Sequence, residues 1–140
     1  MTVITIKGQK NIGKTTSIRQ IFEALIDKNA VVKDFRPMGH WFNDFFAVLE
    51  YKNKTIVINS LGDLIDTVRG GREIAIDNNA DILITAWNVD LDKKYNYEVE
   101  FPSNNFTTTP IDQTCLVPID MKLQIQFKNF CNEFIKENLD

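Results

Sequence analysis

The pattern of apolar and polar positions predicts buried strands that alternate with amphipathic helices. Residues 2–7 alternate, are rich in β-branched side chains and end at Gly8, which is typical of a strand. Residues 14–28 carry apolar side chains at spacings of three and four, which indicates a helix with one apolar face. Residues 64–79 give a similar helical pattern, although a glycine pair interrupts it. These segments predict the alternation of strands and helices that defines an α/β protein.

A β-hairpin is predicted in the middle of the chain. Its arms are residues 45–51 and 55–59, and the second arm is apolar enough for a strand that is buried on both faces. Residues 30–35 form a short strand candidate that ends before Pro37, and residues 81–87 form another buried strand. We expect the hairpin to add one antiparallel strand at an edge of an otherwise mostly parallel sheet.

The last third of the chain is less regular. Residues 95–101 alternate and predict a strand, whereas residues 102–114 are polar and predict a loop. Residues 118–139 carry a stripe of apolar side chains at helical spacing, which predicts a closing helix that packs on the core. We interpret residues 1–140 as a single α/β domain with a sandwich architecture.

Composition and charge narrow the possible functions. The chain has 140 residues, a formal net charge of -3, one histidine and two cysteines. The charge argues against broad binding to nucleic acid, and the few histidines and cysteines argue against a His-rich metal site or a zinc knuckle. No apolar run reaches the ~18 residues of a membrane span, and the N-terminus lacks the features of a signal peptide. We therefore expect a cytoplasmic protein that does not bind membranes.

The strongest chemical signal is a glycine- and lysine-containing loop between the first strand and the first helix. Residues 8–15 fit the pattern G-x-x-x-x-G-K-[ST] at every defined position. The two glycines let backbone N–H groups approach phosphate oxygens, the lysine supplies a positive charge, and the threonine offers a hydroxyl to Mg²⁺. The candidate phosphate-binding residues are Gly8, Gln9, Lys10, Asn11, Ile12, Gly13, Lys14, Thr15 and Thr16.

On these residues the chain resembles the P-loop NTPases. The resemblance implies a three-layer P-loop NTPase-like sandwich, with a nucleoside triphosphate and Mg²⁺ as cofactors. Lys14 would act in catalysis and Thr15 would hold the metal. Residues 85–90 lie where a guanine-specific N-K-x-D motif would fall but lack its spacing, so ATP is the default nucleotide. Trp87, in the same segment, could stack on a base or pack in the core.

A second candidate segment, residues 59–63, follows the second arm of the hairpin. Asn59 stands where P-loop proteins usually carry the Mg²⁺-binding aspartate of Walker B. The segment also resembles the D-x-x-G switch of Ras-like GTPases, which implies that Gly62 contacts the γ-phosphate. We expect Asp63 to bind the metal and act in catalysis. Asp81 or another acid remains an alternative, as do weakened metal binding and a simple turn that caps the next helix.

The remaining candidates are weaker. Arg69 and Arg72 share a helix face, where one could stabilise phosphoryl charge as an arginine finger or both could lie on a solvated surface. The glycine pair between them marks a hinge, a helix break or a close contact. Arg36 is a further cationic candidate, and Asp34 is a substrate-side carboxylate by positional analogy.

The connector of residues 36–46 is rich in aromatic side chains. It could be a switch-like or substrate-binding loop, although a loop that buries its rings over the core explains the same composition. We expect its His40 to be structural or exposed and not to act as a general base.

The sequence thus predicts Mg²⁺-dependent binding of a nucleoside triphosphate, with slow hydrolysis or phosphoryl transfer by an ATPase or a small kinase. The alternative is a non-catalytic nucleotide-sensing module. In that case residues 36–46 and 62–72 would change conformation and a protein partner would bind them. A third possibility is a protein that binds phosphate but no nucleotide.

Overall fold

A computed structural model describes residues 1–10, 13–38, 43–112 and 131–140 of the chain. The strands are β1 (Thr2–Gly8), β2 (Val31–Met38), β3 (Asp44–Tyr51), β4 (Lys54–Asn59), β5 (Ile82–Asn88) and β6 (Thr107–Asp112). The helices are α1 (Lys14–Asp27), α2 (Ile65–Asp77) and the short α3 (Tyr97–Glu100), with a 3₁₀ helix at Val89–Lys93. Residues 131–138 are also helical.

The six strands form one mixed sheet in the order β2-β3-β4-β5-β1-β6. β1 pairs in parallel with β5 and β6, and β4 pairs in parallel with β5. β3 is antiparallel to both β2 and β4, so it runs against the five other described strands. The prediction of an α/β fold with a mostly parallel sheet and one antiparallel hairpin strand is confirmed. Its expected edge position is wrong, because β2 lies outside β3.

Apolar side chains on both faces of the sheet are covered by helices. One face of the strands packs against the apolar stripe of α1 and against residues 131–139, which include the buried Phe134 and Ile135. The opposite face packs against Val68 and Ala75 of α2 and against the fully buried Phe101, which follows α3. The alternation along the four inner strands β1, β3, β4 and β5 therefore contributes side chains to two separate apolar clusters.

The chain between β5 and β6 differs from its prediction. Residues 95–101 form a turn and α3 instead of a strand, because the Asn96 side chain accepts a hydrogen bond from the Glu98 N–H and caps a helical turn. Residues 107–112, expected in a loop, form β6 at the edge of the sheet. Side chains along β6 are exposed or only half-buried, so no apolar alternation marks this strand in the sequence.

The predicted end of β2 is corrected, and one of the three alternatives for the glycine pair is confirmed. β2 continues through Pro37 to Met38, since the missing N–H of proline is tolerated in an edge strand. Helix α2 is continuous through Gly70 and Gly71, so the pair is neither a hinge nor a break. A Cβ on Gly71 would lie 2.5 Å from Nδ2 of Asn59, which makes Gly71 a point of close contact between α2 and β4. His40 and residues 118–130 of the expected closing helix lie outside the described residues, and residues 131–138 of that helix are helical as predicted.

Candidate functional site

A polar cavity of about 950 Å³ opens at the edge of the sheet where the parallel strands end. β4 ends there, α1 starts there after β1, and β3 starts there because it runs in the opposite direction. We call this space the loop cavity. It is lined by three groups of residues, from one face of α1 and the glycine before it, from the start of β3, and from the β4–α2 connection with the first turn of α2: Gly13, Lys14, Thr15, Thr16, Arg19, Gln20 and Glu23; Asn43 and Asp44; Ser60, Leu61, Gly62, Asp63, Leu64 and Thr67.

The glycine–lysine loop, residues 8–15, leads directly into α1. Gly8 is the buried last residue of β1, and Gln9 and Lys10 are exposed. Gly13 precedes the helix with φ 94°, a left-handed conformation that favours glycine. No described side chain caps the helix, so the first backbone N–H groups of α1 keep their capacity to bind an anion beside the cavity. Asn11 and Ile12 lie outside the described residues.

Lys14 is a buried cation at the wall of the loop cavity. Its side chain is 6% exposed, and Nζ donates a hydrogen bond of 2.5 Å to the Gln9 carbonyl. Burial lowers the pKa of Lys14, while the Asp63 and Asp90 carboxylates act in the opposite direction. An ammonium group has three N–H donors, and an oxyanion in the cavity would satisfy donors that the Gln9 carbonyl does not use.

An aspartate that the sequence analysis missed faces the threonine of the loop. Thr15 donates a hydrogen bond of 2.8 Å to Oδ1 of Asp44, and Ser60 donates one of 3.0 Å to the same oxygen. The motif does not predict Asp44, because the Walker B acid of P-loop proteins follows a buried parallel strand, whereas Asp44 opens an antiparallel one. The predicted hairpin carried the signal, since it pairs the start of β3 with the end of β4.

Asn59, at the position expected for a metal-binding aspartate, is a structural residue. It is fully buried, and β5 lies between its strand and β1. Its Nδ2 donates to the Thr67 carbonyl at 3.1 Å and to the Thr85 hydroxyl at 3.2 Å, and its Oδ1 accepts from the Leu61 N–H at 2.8 Å. The amide thus joins β4 to α2 and β5, and both of its polar atoms are already occupied.

Gly62 and Asp63 are fixed against the end of β5. A Cβ on Gly62 would lie 2.6 Å from the Ala86 backbone, so only glycine fits this approach. The Asn88 backbone N–H donates to the Gly62 carbonyl at 2.8 Å, and Nδ2 of Asn88 donates to Oδ1 of Asp63 at 2.9 Å. Leu64 is the N-cap residue of α2 and no described side chain caps that helix, so the structure does not support the alternative in which Asp63 serves only to cap α2.

Asp81 is excluded as a replacement acid. It lies just before β5, at the N-terminal end of that strand, whereas the loop cavity lies at the C-terminal ends of the parallel strands. Its carboxylate accepts a hydrogen bond of 2.8 Å from the Thr55 N–H, and this contact joins β4 to β5 at that edge.

Arg69 and Arg72 do not line the loop cavity. Arg69 contacts both carboxylate oxygens of the buried Glu100, with a shortest bond of 2.6 Å, and Arg72 donates to the same side chain at 3.1 Å. We call these three residues the Arg–Glu cluster. Hydrogen bonding to Arg69 lowers the pKa of Glu100, although burial alone would raise it. Both arginines thus pair with Glu100 and do not reach the cavity as an arginine finger would, although their side chains remain 42% and 21% exposed on the helix surface.

The remaining candidates also lie away from the loop cavity. Trp87 is fully buried and its Nε1 donates to Asp92 at 3.0 Å, which supports core packing over base stacking. Asp34 pairs with Arg36 at 2.8 Å on the exposed strand β2, and it lies within that strand and not at its end.

Other observations bear on metals, membranes and relatives. Among the described residues, no three His, Cys, Asp or Glu side chains come together in a group that could hold a metal ion. None of the helices in these ranges is long and apolar enough to cross a membrane. Comparison with protein-family models, with curated proteins and with solved structures gives no significant match.

Proposed function

We propose that this chain is a single-domain, three-layer P-loop NTPase-like protein that binds a Mg²⁺-nucleoside triphosphate at the glycine–lysine loop. The observation that carries the proposal is the start of α1. An uncapped helix N-terminus follows the left-handed Gly13, and Lys14 and Thr15 come next at the wall of an open polar cavity. This combination of free N–H groups, a positive helix end and a buried cation suits a polyphosphate.

The phosphates would be held by the backbone of residues 8–16 and by Lys14. Because Lys14 is desolvated, its attraction to a phosphate oxygen is stronger than that of an exposed lysine. ATP is the default nucleotide, because the end of β5 lacks the N-K-x-D spacing that would favour guanine.

Oxygen ligands for Mg²⁺ are available beside the loop. The Thr15 hydroxyl and the Asp44 carboxylate would hold the ion, and Asp63 would assist it or orient the attacking group. Carboxylates and hydroxyls are hard ligands of the kind that Mg²⁺ prefers. When bound, the ion would neutralise charge on the terminal phosphates. Asp44 at the start of β3 and Asp63 after β4 would thus supply the negative charge that the uncharged Asn59 lacks.

The outcome of binding is either slow hydrolysis or phosphoryl transfer, by an ATPase or a small kinase. A second candidate is a nucleotide-sensing module without turnover. The side chain of Leu64 favours it, because this leucine is 65% exposed immediately after Gly62 and Asp63. A protein partner could bind an apolar side chain at that position when the segment responds to the γ-phosphate.

Titration calorimetry of ATP, GTP and ADP with Mg²⁺ tests the proposal. We expect ATP binding by the original chain and by Lys33→Ala, which changes an exposed lysine on β2, and no binding by Lys14→Ala. Phosphate release in the same samples would support an enzyme, and binding without release would support the sensor. Absence of binding by every nucleotide would overturn the proposal and leave a site for another anion.

A further inference from the structure

The loop cavity is longer than the phosphate-binding part of α1. Its wall runs from Gly13 to Glu23, and at about 1.5 Å per residue Glu23 lies roughly 13 Å beyond Lys14 along the helix axis. The free N–H groups and the positive end of a helix act only within the first turn. A phosphate group held at Lys14 and Thr15 therefore does not itself reach the far half of the cavity.

The far half is polar and carries both signs of charge. Thr16, Arg19, Gln20 and Glu23 line it at spacings of three and four residues, so they share one face of α1. Among the described residues, no ion pair joins Arg19 to Glu23 or either of them to another side chain. Unpaired opposite charges in a concave site match a small ligand that carries complementary groups.

The guanidinium group of Arg19 is already oriented. Nη2 donates a hydrogen bond of 2.8 Å to the Asn43 carbonyl, and the group lies 5.0 Å from the centre of the Phe45 ring. A guanidinium has five N–H donors, so this contact leaves others for a carboxylate or phosphate. Because the Arg19 side chain is already ordered before binding, less conformational entropy is lost when an anion binds to it.

We propose that the far half of the loop cavity binds the acceptor of a phosphoryl transfer, a small polar molecule whose carboxylate or phosphate group is held by Arg19. This inference rests on the proposed function and selects transfer over hydrolysis. The acceptor oxygen forms a bond to the γ-phosphorus while the bond from that phosphorus to the β,γ-bridging oxygen breaks. ADP leaves with the electron pair, and the acceptor proton passes to the Asp63 carboxylate, which Asn88 orients.

Anion binding to the nucleotide-loaded protein tests the inference. The glycine–lysine loop is first saturated with Mg²⁺ and the non-hydrolysable β,γ-imido analogue of ATP. Inorganic phosphate and acetate are then titrated separately at constant ionic strength. We expect one additional anion site, which Arg19→Gln weakens at least tenfold, because a hydrogen bond to a charged group contributes about 1.5–3 kcal/mol. Phosphate binding alone indicates a phosphate-bearing acceptor, and acetate binding indicates a carboxylate-bearing one.

Two controls keep the result interpretable. Arg36→Gln changes an arginine on the exposed strand β2 and should leave anion binding unchanged. Arg19→Lys keeps the charge but not the planar group, and we expect intermediate affinity. No anion site in the analogue-loaded original chain, or a site that Arg19→Gln does not affect, would overturn this inference and leave the proposed function intact. Failure of the analogue itself to bind would overturn both.

Discussion

The loop cavity and the Arg–Glu cluster both combine arginines with acids, but they use charge in opposite ways. In the cluster, the 4%-exposed Glu100 accepts hydrogen bonds from two arginines, and each charge has its partner within the chain. In the cavity, no ion pair of the described residues joins Lys14 or Arg19 to an acid. Charges that are matched internally stabilise a fold, whereas charges left facing an open space indicate a ligand.

The largest effect should come from replacing the buried cation of the cavity. Lys14→Met removes the charge but keeps most of the side-chain volume, so ATP affinity should fall by at least ~100-fold, as for the loss of a charge-assisted contact. Because burial lowers the pKa of Lys14, the charge is also costly to the empty fold, and the thermal midpoint without nucleotide should rise. Calorimetry and thermal unfolding check both results. A variant that loses stability and keeps ATP binding would contradict the view that the Lys14 charge is kept for a ligand and not for the fold.

A variant of the Arg–Glu cluster should lose stability and keep its nucleotide binding. Glu100→Gln leaves two arginines beside an uncharged amide, so we expect a loss of about 3 kcal/mol in the free energy of unfolding, with ATP affinity unchanged. Urea denaturation measures the loss. Glu73→Gln is the matched control, since its carboxylate is 59% exposed and contacts Arg72 at 3.5 Å. A similar loss in the control would mean that the burial of Glu100 is not the cause.

The same cluster predicts a pH dependence. The folded-state pKa of Glu100 lies below the ordinary value of 4.5 because Arg69 and Arg72 stabilise the carboxylate. The stabilisation is therefore present above the ordinary pKa and disappears as the pH falls through the lowered one. The difference in unfolding free energy between the original chain and Glu100→Gln should shrink in acid below pH 4.5. A difference that stays constant there would contradict this origin.

Two glycine variants test the close packing of α2 against Asn59, and we expect their effect on stability to be intermediate in size. Gly71→Ala places a Cβ within 2.5 Å of the Asn59 amide, so it should cost about 2 kcal/mol of stability, as for an overpacked core. Gly70→Ala meets its nearest neighbour at 3.9 Å and should be neutral or stabilise α2 by up to about 1 kcal/mol. Denaturation curves of the two variants compare them directly. Equal losses would show that helix geometry, and not contact with Asn59, controls this position.

The smallest effect should separate the two candidate metal acids. Asp44→Asn retains an oxygen that accepts from Thr15 and Ser60, so the fold should persist while Mg²⁺-dependent ATP affinity falls about tenfold. ATP affinity without Mg²⁺ should not fall. Asp63→Asn tests the other acid in the same assay, and Asp34→Asn, on the exposed strand β2, is the control. Loss of the Mg²⁺ dependence in Asp63→Asn alone would assign the ion to Asp63.

Local patterns predicted much of the fold but little of its long-range contacts. The bounds of α1 and the β3–β4 hairpin follow from periodicity, and the glycine–lysine loop from its spacing. β6 was not predicted, because an edge strand with exposed side chains has no apolar signature in the sequence. The contacts of Asp44 and of the Arg–Glu cluster were not predicted for another reason. They join residues that lie far apart in the sequence. The sequence alone could not show which strands are neighbours.

The position of β1 in the sheet has a consequence for the synthesis of the protein. The hairpin that joins Asp44 to Ser60 is local, and such hairpins form within microseconds. β1, by contrast, pairs only with β5 and β6 among the described strands, so it has neither of these partners until the chain from residue 82 onward has been synthesised. We expect nascent chains that end before residue 82 to hold the complete glycine–lysine loop and yet bind no nucleotide.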